Sequence, residues 1–410
     1  DVLAIGGTAS GSTAIVVGSG AGLGQATTGN GIQVVTTGSS AASAFSAGRI
    51  AAGAYEYTLV KVGNNWYLQA NNDAPPPPQP VTPETAQRVE VGLYPALPTL
   101  ARLYAQNVVD SYDQRRGDLA LLSDGSANRK SGMAWGRLIG KTAKSDPSNV
   151  SFGPMLNSRT YGIQLGIDAL ASQNPDGSQS FVGPFATFGQ ATGNVSNQSG
   201  STQTGSVSLM AYSLGLNATH ITPAGHYIDA VLQGTRFDQA QANSLVSTSL
   251  WTQGWGMTAS LEGGYNLKFN PNLALVPQVQ VIYNLNRLQT AQDAYSQVVM
   301  PSDSSTLGRV GAKLSYTDDP KSSTASNVWA RVSGLSMLSG ANTQTQFSNL
   351  VGTNTTTFNT QAPTTWVAFD LGVNQRIAGN HLVYLNAGYE SALSTMYQAG
   401  YVKGGYTYRF

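Results

Sequence analysis

The chain of 410 residues has no cysteine, which removes disulfide frameworks, thiolate nucleophiles and Cys-ligated zinc, and suits a protein that crosses an oxidising compartment unfolded. Charge is sparse as well. Only 10% of residues are charged, and 22 basic residues are scattered among 21 acidic ones for a net charge of +1, so no basic face marks a nucleic-acid partner. No run of 18 apolar residues occurs, which excludes a helical membrane span. The start lacks a charged n-region with an apolar core, and a signal peptide is expected to have been removed or to lie upstream of Asp1. Histidine is limited to His220, His226 and His381. His226 with Asp229 is the only local pair a hydrolase would use, and a strand start beside a lumen-facing Asp accounts for both without catalysis. The glycines of the 18–24 segment are superficially like a phosphate loop, but no helix follows, so they read as turns. The sequence therefore offers no catalytic residue, no metal site and no cofactor. A membrane protein without apolar helices has one remaining form, the closed β-barrel, whose backbone groups all pair internally.

What the chain has is glycine, 46 residues of it, and three regions of distinct pattern. Residues 1–72 carry short β-branched groups such as Ala14-Ile15-Val16-Val17 between Gly-containing turns, as in a β-solenoid whose rungs bury a few aliphatics each. Within it Tyr55, Tyr57, Trp66 and Tyr67 flank a turn at Gly63-Asn64-Asn65, a hairpin bulky enough to seal the solenoid's open end. Residues 73–94 read as a linker stiffened by the run Pro75 to Pro78. In 95–130 a helix is expected from Ala96 to about Arg116, roughly 30 Å long and so of spanning length. It carries Arg102, Asn107, Asp110, Asp113 and Arg116, too polar for lipid but suited to a water-lined pore.

Residues 131–410 show about twelve segments of period-2 alternation, beginning near Met133, Tyr161, Phe181, Val207, Tyr227, Trp255, Leu273, Leu307, Val328, Trp366, Leu382 and Tyr401. Tyr161, Ile163, Leu165 and Ile167 alternate with Gly162, Gln164, Gly166 and Asp168, the pattern of a strand with one face in lipid and one in a polar lumen. Tyr161, Trp251, Tyr283, Tyr316 and Tyr389 suit interfacial girdles. Inward charges are expected at Arg137, Asp168, Glu262, Arg331, Asp370 and Glu390.

Five features in this order resemble the C-terminal part of monomeric, pertactin-type autotransporters of type V secretion. They are Gly29-Asn30-Gly31-Ile32-Gln33-Val34-Val35, the Tyr55–Leu68 hairpin, Arg88 to Tyr94 with Ala96-Leu97-Pro98, Trp135-Gly136-Arg137, and the ending Tyr406-Thr407-Tyr408-Arg409-Phe410. The resemblance implies an all-β fold: a 12-stranded transmembrane antiparallel β-barrel with a pore-spanning α-helix, preceded by the end of a right-handed parallel β-helix. It further implies a monomer in the outer membrane, in contact with outer-membrane lipid, that exports its own passenger to the cell surface. Periplasmic chaperones and the barrel-assembly machinery are the implied partners. Tyr406, Tyr408 and Phe410 on one face of the last strand would serve as the assembly signal, and the hairpin aromatics as an autochaperone. Some relatives cut their pore helix by Asn cyclisation at an Asn-Asn pair. Register on Arg116-Gly117-Asp118-Leu119 places Asp110-Ser111 there, so that reaction is not expected. Carboxylate-assisted cutting by Asp168, Glu262, Asp370 or Glu390 is the alternative to their balancing the lumenal cations and positioning the helix. Arg116-Gly117-Asp118 also spells an adhesion tripeptide, for which Gly117 as a helix stop is the simpler account. A porin-like channel is the competing function, but it needs neither solenoid nor plug.

Overall fold

The computed structural model describes residues 1–18, 22–70, 86–122, 132–146, 153–197, 202–320, 322–393 and 396–410. The Pro75–Pro78 run of the expected linker lies outside these. In the N-terminal region β1 (Leu3–Ala9) pairs in parallel with β3 (Ile32–Ser40), and β2 (Thr13–Ile15) with β4 (Phe45–Ala47). Leu3 faces Val35 and Thr13 faces Phe45, so two stacked rungs recur every 32 residues. β5 (Ile50–Ala52), β6 (Tyr55–Val62) and β7 (Asn65–Gln69) are antiparallel, and β7 lies along β3, giving the order β1-β3-β7-β6-β5. The expected hairpin is present. Its turn is tighter than read, two residues closed by Val62 against Asn65, with Gly63 at φ +62° as such a turn requires. The Asn64 amide donates to the Gly38 carbonyl (2.8 Å) and its carbonyl accepts from the Ser40 hydroxyl (3.0 Å), which ties the tip to the last rung.

Helix α1 (Ala96–Val109) has 14 residues and is followed by α2 (Tyr112–Arg116), so the single helix expected through Arg116 is two. The break falls at Asp110, whose φ is +58°. Its cause is tertiary: Arg137 donates to the carbonyls of Val108 (2.6 Å) and Gln114 (3.2 Å), taking over acceptors that a continuing helix would have used. Ser111 and Gln114 then form a capping box that restarts the helix. Residues 86–94, read above as linker, are built into the fold: Gln87 bridges Tyr55, Val89–Gly92 forms a 3₁₀ turn, and Arg88 and Glu90 are buried.

The remaining strands are β8 (Met133–Asp146), β9 (Met155–Asp168), β10 (Leu170–Gln173), β11 (Gln179–Ser196), β12 (Gln203–Ile221), β13 (Tyr227–Ser244), β14 (Ser249–Gly264), β15 (Leu267–Lys268), β16 (Leu273–Leu288), β17 (Ala291–Gln292), β18 (Gln297–Val299), β19 (Asp303–Asp318), β20 (Ser326–Ser339), β21 (Asn342–Ser348), β22 (Thr356–Gln361), β23 (Thr365–Ile377), β24 (His381–Ala392) and β25 (Met396–Arg409). Twelve of them close a barrel in the order β8-β9-β11-β12-β13-β14-β16-β19-β20-β23-β24-β25, every neighbouring pair antiparallel. The seam joins β25 to β8 along its whole length, from Arg409 opposite Met133 to Tyr397 opposite Ser145. Several strands begin earlier than read, at Met155, Gln203, Ser249 and Asp303, where the opening stretches are rich in Ser, Thr, Asn and Gln that resemble loop.

One end of the barrel carries the long connections 289–302 and 340–364, which fold into a separate sheet β17-β18-β21-β22 that the sequence reading did not foresee. The other end has short turns and both ends of the barrel chain. Burial is inverted relative to a soluble protein. Leu165, Leu214, Val310 and Leu371 are each more than 60% exposed, while Gln164, Asp168, Gln233 and Asn284 are fully buried inside. No described helix is long and apolar enough to cross a membrane. Tyr283 and the Leu273 position opposite Tyr316 lie ten residues apart on β16; at a tilt of ~40° that is ~25 Å along the axis, the height of an outer-membrane apolar band. Tyr389 lies toward the loop end of β24, Trp251 stands at the loop-end tip of β14, eight register positions beyond the residue opposite Tyr283, and Tyr161 is mid-strand on β9.

Candidate functional site

A barrel of twelve strands tilted by ~40° has a backbone radius of ~12 Å, and one layer of inward side chains leaves ~10 Å, room for a single helix. The occupant is the chain's own segment 86–122. It enters at the loop end, runs down the lumen as α1 and α2, and leaves at the turn end beside Met133.

At the loop end Arg88, without solvent exposure, pairs with Asp293 (2.8 Å) and donates to the Ser296 hydroxyl (2.6 Å). Its guanidinium lies among the rings of Tyr94, Tyr295 and Phe347. The Tyr94 hydroxyl donates to the same Asp293 (2.7 Å). Arg49, from the solenoid side, binds Glu90 (2.9 Å) and Glu56 (3.1 Å) and covers Tyr295 at 5.0 Å. Burial alone would raise the Glu90 carboxyl, but Arg49 and Arg88 outweigh it and hold Glu90 below the usual carboxylate range. Asn349 and Asn354 of the 340–364 connection both donate to the Leu23 carbonyl (2.9 and 3.1 Å), and Gly53 N–H donates to the Tyr295 carbonyl (3.1 Å). The solenoid is thus seated on the loops.

Further down, each polar residue expected on the pore helix has a partner. Arg102 binds Asp303, with Nε at 2.8 Å, and Asn107 donates to the Thr160 hydroxyl (3.2 Å). Asp110 is held between Arg137 (2.8 Å) and Lys403, and Gln280 donates to its carbonyl (2.7 Å). Asp113 pairs with Lys313 and accepts from Gln278 (2.8 Å). Arg115 binds both oxygens of Asp229 (2.7 and 2.8 Å), and Arg116 pairs with Asp168 beneath the Trp135 ring (4.9 Å). Tyr104 edges onto Phe237 (6.3 Å) and runs so close to β11 that a Cβ on Gly189 would sit 2.7 Å from its hydroxyl. At the exit Arg409 of the last strand donates to the Leu122 carbonyl (2.6 Å).

The lumenal charges read from the sequence all point inward. Glu262 accepts from the Tyr112 N–H (2.9 Å) and the Tyr227 hydroxyl (2.6 Å) and pairs with Arg309 (3.0 Å). Arg331 binds Asp370 (2.7 Å), and Glu390 binds Lys141 (2.7 Å) and the Tyr397 hydroxyl (2.9 Å). Asp293, Asp303 and Asp229 were missed as helix partners. Asp293 stands in a Ser/Gln-rich connection and Asp303 opens β19 ahead of Ser304 and Ser305, so both look like turn residues. His226 and Asp229 are not brought together: His226 stacks on Tyr265 (3.9 Å) and accepts from Asn266 N–H (3.0 Å). Arg116 of the tripeptide is fully buried, and Gly117 ends α2 at φ +66°. Of the 18–24 segment, residues 19–21 lie outside the described ones, and Gly24 rests against Asn349 and Asn354.

The aromatic residues of the two termini are also placed. Tyr57 is buried, accepting from Gly24 and Gln25 N–H (2.8 and 3.0 Å), and Trp66 is buried against Phe45 (5.5 Å). Tyr55 and Tyr67 are half-buried on β6 and β7. Tyr406 and Phe410 project outward with Tyr408 between them, while Thr407 and Arg409 point into the lumen.

The profile of the family described as Autotransporter beta-domain matches residues 134–388, well over half of the chain. The chain belongs to the autotransporters. The profile described as Autochaperone Domain Type 1 matches residues 1–59 of this autotransporter. Among curated relatives the "Adhesin BmaC autotransporter" of Brucella suis is 27% identical over 286 residues, covering 65% of the present chain and 8% of its own. The chain spans 8–60% of the lengths of the four curated relatives it matches. Among solved structures, the transport unit of the autotransporter AIDA-I from Escherichia coli superposes with a TM-score of 0.63 at 15% identity, over 77% of this chain and 98% of that one. The translocator domain of the autotransporter NalP from Neisseria meningitidis superposes with 0.51 at 16%, over 76% and 99%. These establish the fold, and with the family they make the barrel an outer-membrane translocator domain, loop end outward, whose N-terminal part is exported to the cell surface.

Proposed function

We propose that the structure represents the resting product of export, in which segment 86–122 remains where the passenger travelled and reseals the barrel. The supporting observation is the end-to-end pairing of that segment with lumenal groups, from Arg88 with Asp293 to Arg409 with Leu122. The working division is residues 1–72 as passenger end and autochaperone, 73–94 as linker whose last part, 86–94, packs into the loop end of the barrel, 95–130 as pore segment and 131–410 as barrel. The hairpin, emerging early, would template rung stacking, and each rung added outside would oppose backward movement. Tyr406, Tyr408 and Phe410 would present an outward aromatic edge to the barrel-assembly machinery before β25 meets β8, after escort by periplasmic chaperones. Asp168, Glu262, Asp370 and Glu390 are proposed to position the helix. Each is engaged by a cation or a phenol, and Asp110 offers no amide nitrogen for cyclisation, so no cut at Asp110-Ser111 is expected.

The test is single-channel conductance of the barrel with residues 84–118 deleted against the intact chain. A sharp rise supports a plugged translocator. Equal conductance would favour the porin-like alternative.

A further inference from the structure

We propose that the outer wall of the barrel carries a binding site for the phosphorylated headgroup of an outer-leaflet glycolipid, centred on Arg236 and Arg287. The proposal rests on the outer-membrane placement above and extends it from lipid in general to one lipid at one site.

The site is a row of directly opposed residues across five strands. Phe188 on β11 faces Tyr212 on β12, Tyr212 faces Arg236 on β13, Arg236 faces Trp255 on β14, and Trp255 faces Arg287 on β16. All five are exposed on the outer wall, and the Phe188 and Tyr212 rings contact at 5.3 Å. Arg236 donates to the side-chain carbonyl of Gln253. Neither guanidinium has a carboxylate partner among the described residues. The nearest outward carboxylate along β13, Asp238, stands opposite Met210.

Placement separates these arginines from the inward basic residues of the wall. Inward cations are all engaged, whether by carboxylates, as Arg137, Lys313 and Lys403 are, or by carbonyls, as Arg376 and Arg409 are. Among the described residues of the twelve barrel strands the outward cations are Lys144, Arg159, Arg236 and Arg287, and all four fall in the loop-end half. Arg287 is four residues beyond Tyr283 toward that end, ~10 Å higher along the axis, which sets it at headgroup level above the apolar band. Asp318, by contrast, is outward at the turn end.

A guanidinium without a carboxylate partner at the edge of hydrocarbon is matched by a phosphate oxygen pair, which it binds with two parallel N–H donors. Trp255 between the two arginines is the residue type that sits at headgroup depth with its ring in the acyl boundary. Arg236 and Arg287 are two strands apart, ~10 Å, a separation that suits two phosphate groups on one headgroup better than one anion. Below them Phe188 and Tyr212 continue the apolar wall along which the acyl chains would lie. A soluble anion would gain nothing from that wall.

The test uses the full chain, delipidated in detergent and titrated with a bisphosphorylated lipid A, the same lipid without phosphates, and inorganic phosphate, with bound lipid read by native mass spectrometry. The bisphosphorylated lipid should bind as a 1:1 adduct, at least tenfold weaker in the variant R236Q/R287Q, and R236K/R287K should recover part of the loss. The heat-shifted migration of the folded barrel controls for folding, and K144Q should bind as the parent does. Equal binding by R236Q/R287Q, equal binding of the dephosphorylated lipid, or displacement by equimolar inorganic phosphate would each overturn the site.

Discussion

Replacing Arg137 with Ala removes the group that ends α1. Arg137 is buried on β8 and donates to the Asp110 carboxylate (2.8 Å), to the carbonyls of Val108 (2.6 Å) and Gln114 (3.2 Å), and to Gln164 (2.9 Å). In the variant Asp110 keeps Lys403 and the Val108 carbonyl keeps Gln164 (3.3 Å), whereas the contact from β8 to the Gln114 carbonyl is lost. Breaking a buried pair from one side typically costs about 3–5 kcal/mol. Retention of Lys403 places this case at the low end, near 3 kcal/mol, or roughly a hundredfold in the seated-to-loosened equilibrium. The assay is amide hydrogen exchange of the folded protein in detergent, read over residues 105–116. Protection there should fall about a hundredfold while the barrel strands β12 to β14 keep theirs. Unchanged exchange in 105–116, with the barrel folded, would refute the claim that lumenal donors seat the helix. Lys144→Ala, on the outer wall, should leave both regions unchanged.

Other perturbations have equally direct readings. Trp66→Ala opens a hole beside Phe45 and should cost ~3–5 kcal/mol of solenoid stability, seen as faster proteolysis of residues 1–70 with the barrel intact. Gly189→Ala presses on the Tyr104 ring and on the Tyr161 backbone carbonyl, so it should loosen α1 and be relieved only in part by pairing with Tyr104→Ala, with exchange over 100–109 as the measure. The seat of the solenoid on the loops should be indifferent to pH from neutrality to the ordinary Glu range near ~4.3 and be lost as pH falls through the depressed Glu90 value, since protonation removes the partner of Arg49. Arg49→Gln should weaken the seat at neutral pH and flatten that acid response, followed by exchange over 50–57. Deleting residues 53–70 should leave barrel assembly intact but trap or degrade the passenger; unchanged secretion would remove the autochaperone role.

The parts of the fold that were legible in the sequence are those fixed by a periodic contrast. Tyr161 to Asp168 alternates because one face meets lipid and the other water, and the same contrast sends Tyr406 and Phe410 outward and Arg409 inward. The lumenal charges were legible for the same reason. Within the apolar band a charge on a lipid-bounded strand has only one face to take. What was not legible depends on partners remote in the chain. Nothing near Asp110 announces a helix break, which needs Arg137 and Lys403 from the two strands at the seam. The sheet β17-β18-β21-β22 is held largely by Val298, Met300, Phe347 and Phe358 in otherwise polar segments, too few apolar positions to show a period. Arg88 and Glu90 look like linker residues until Asp293 and Arg49 are brought beside them.

The absence of cysteine makes the central claim, a barrel with its N-terminal part outside and its turns inside, directly measurable. Gly6→Cys on β1 and Asp176→Cys in the connection between β10 and β11 are both at exposed positions. In intact cells a membrane-impermeant maleimide should label the first and leave the second unlabelled until the outer membrane is opened. Labelling of Asp176→Cys in intact cells, or protection of Gly6→Cys, would contradict the assignment.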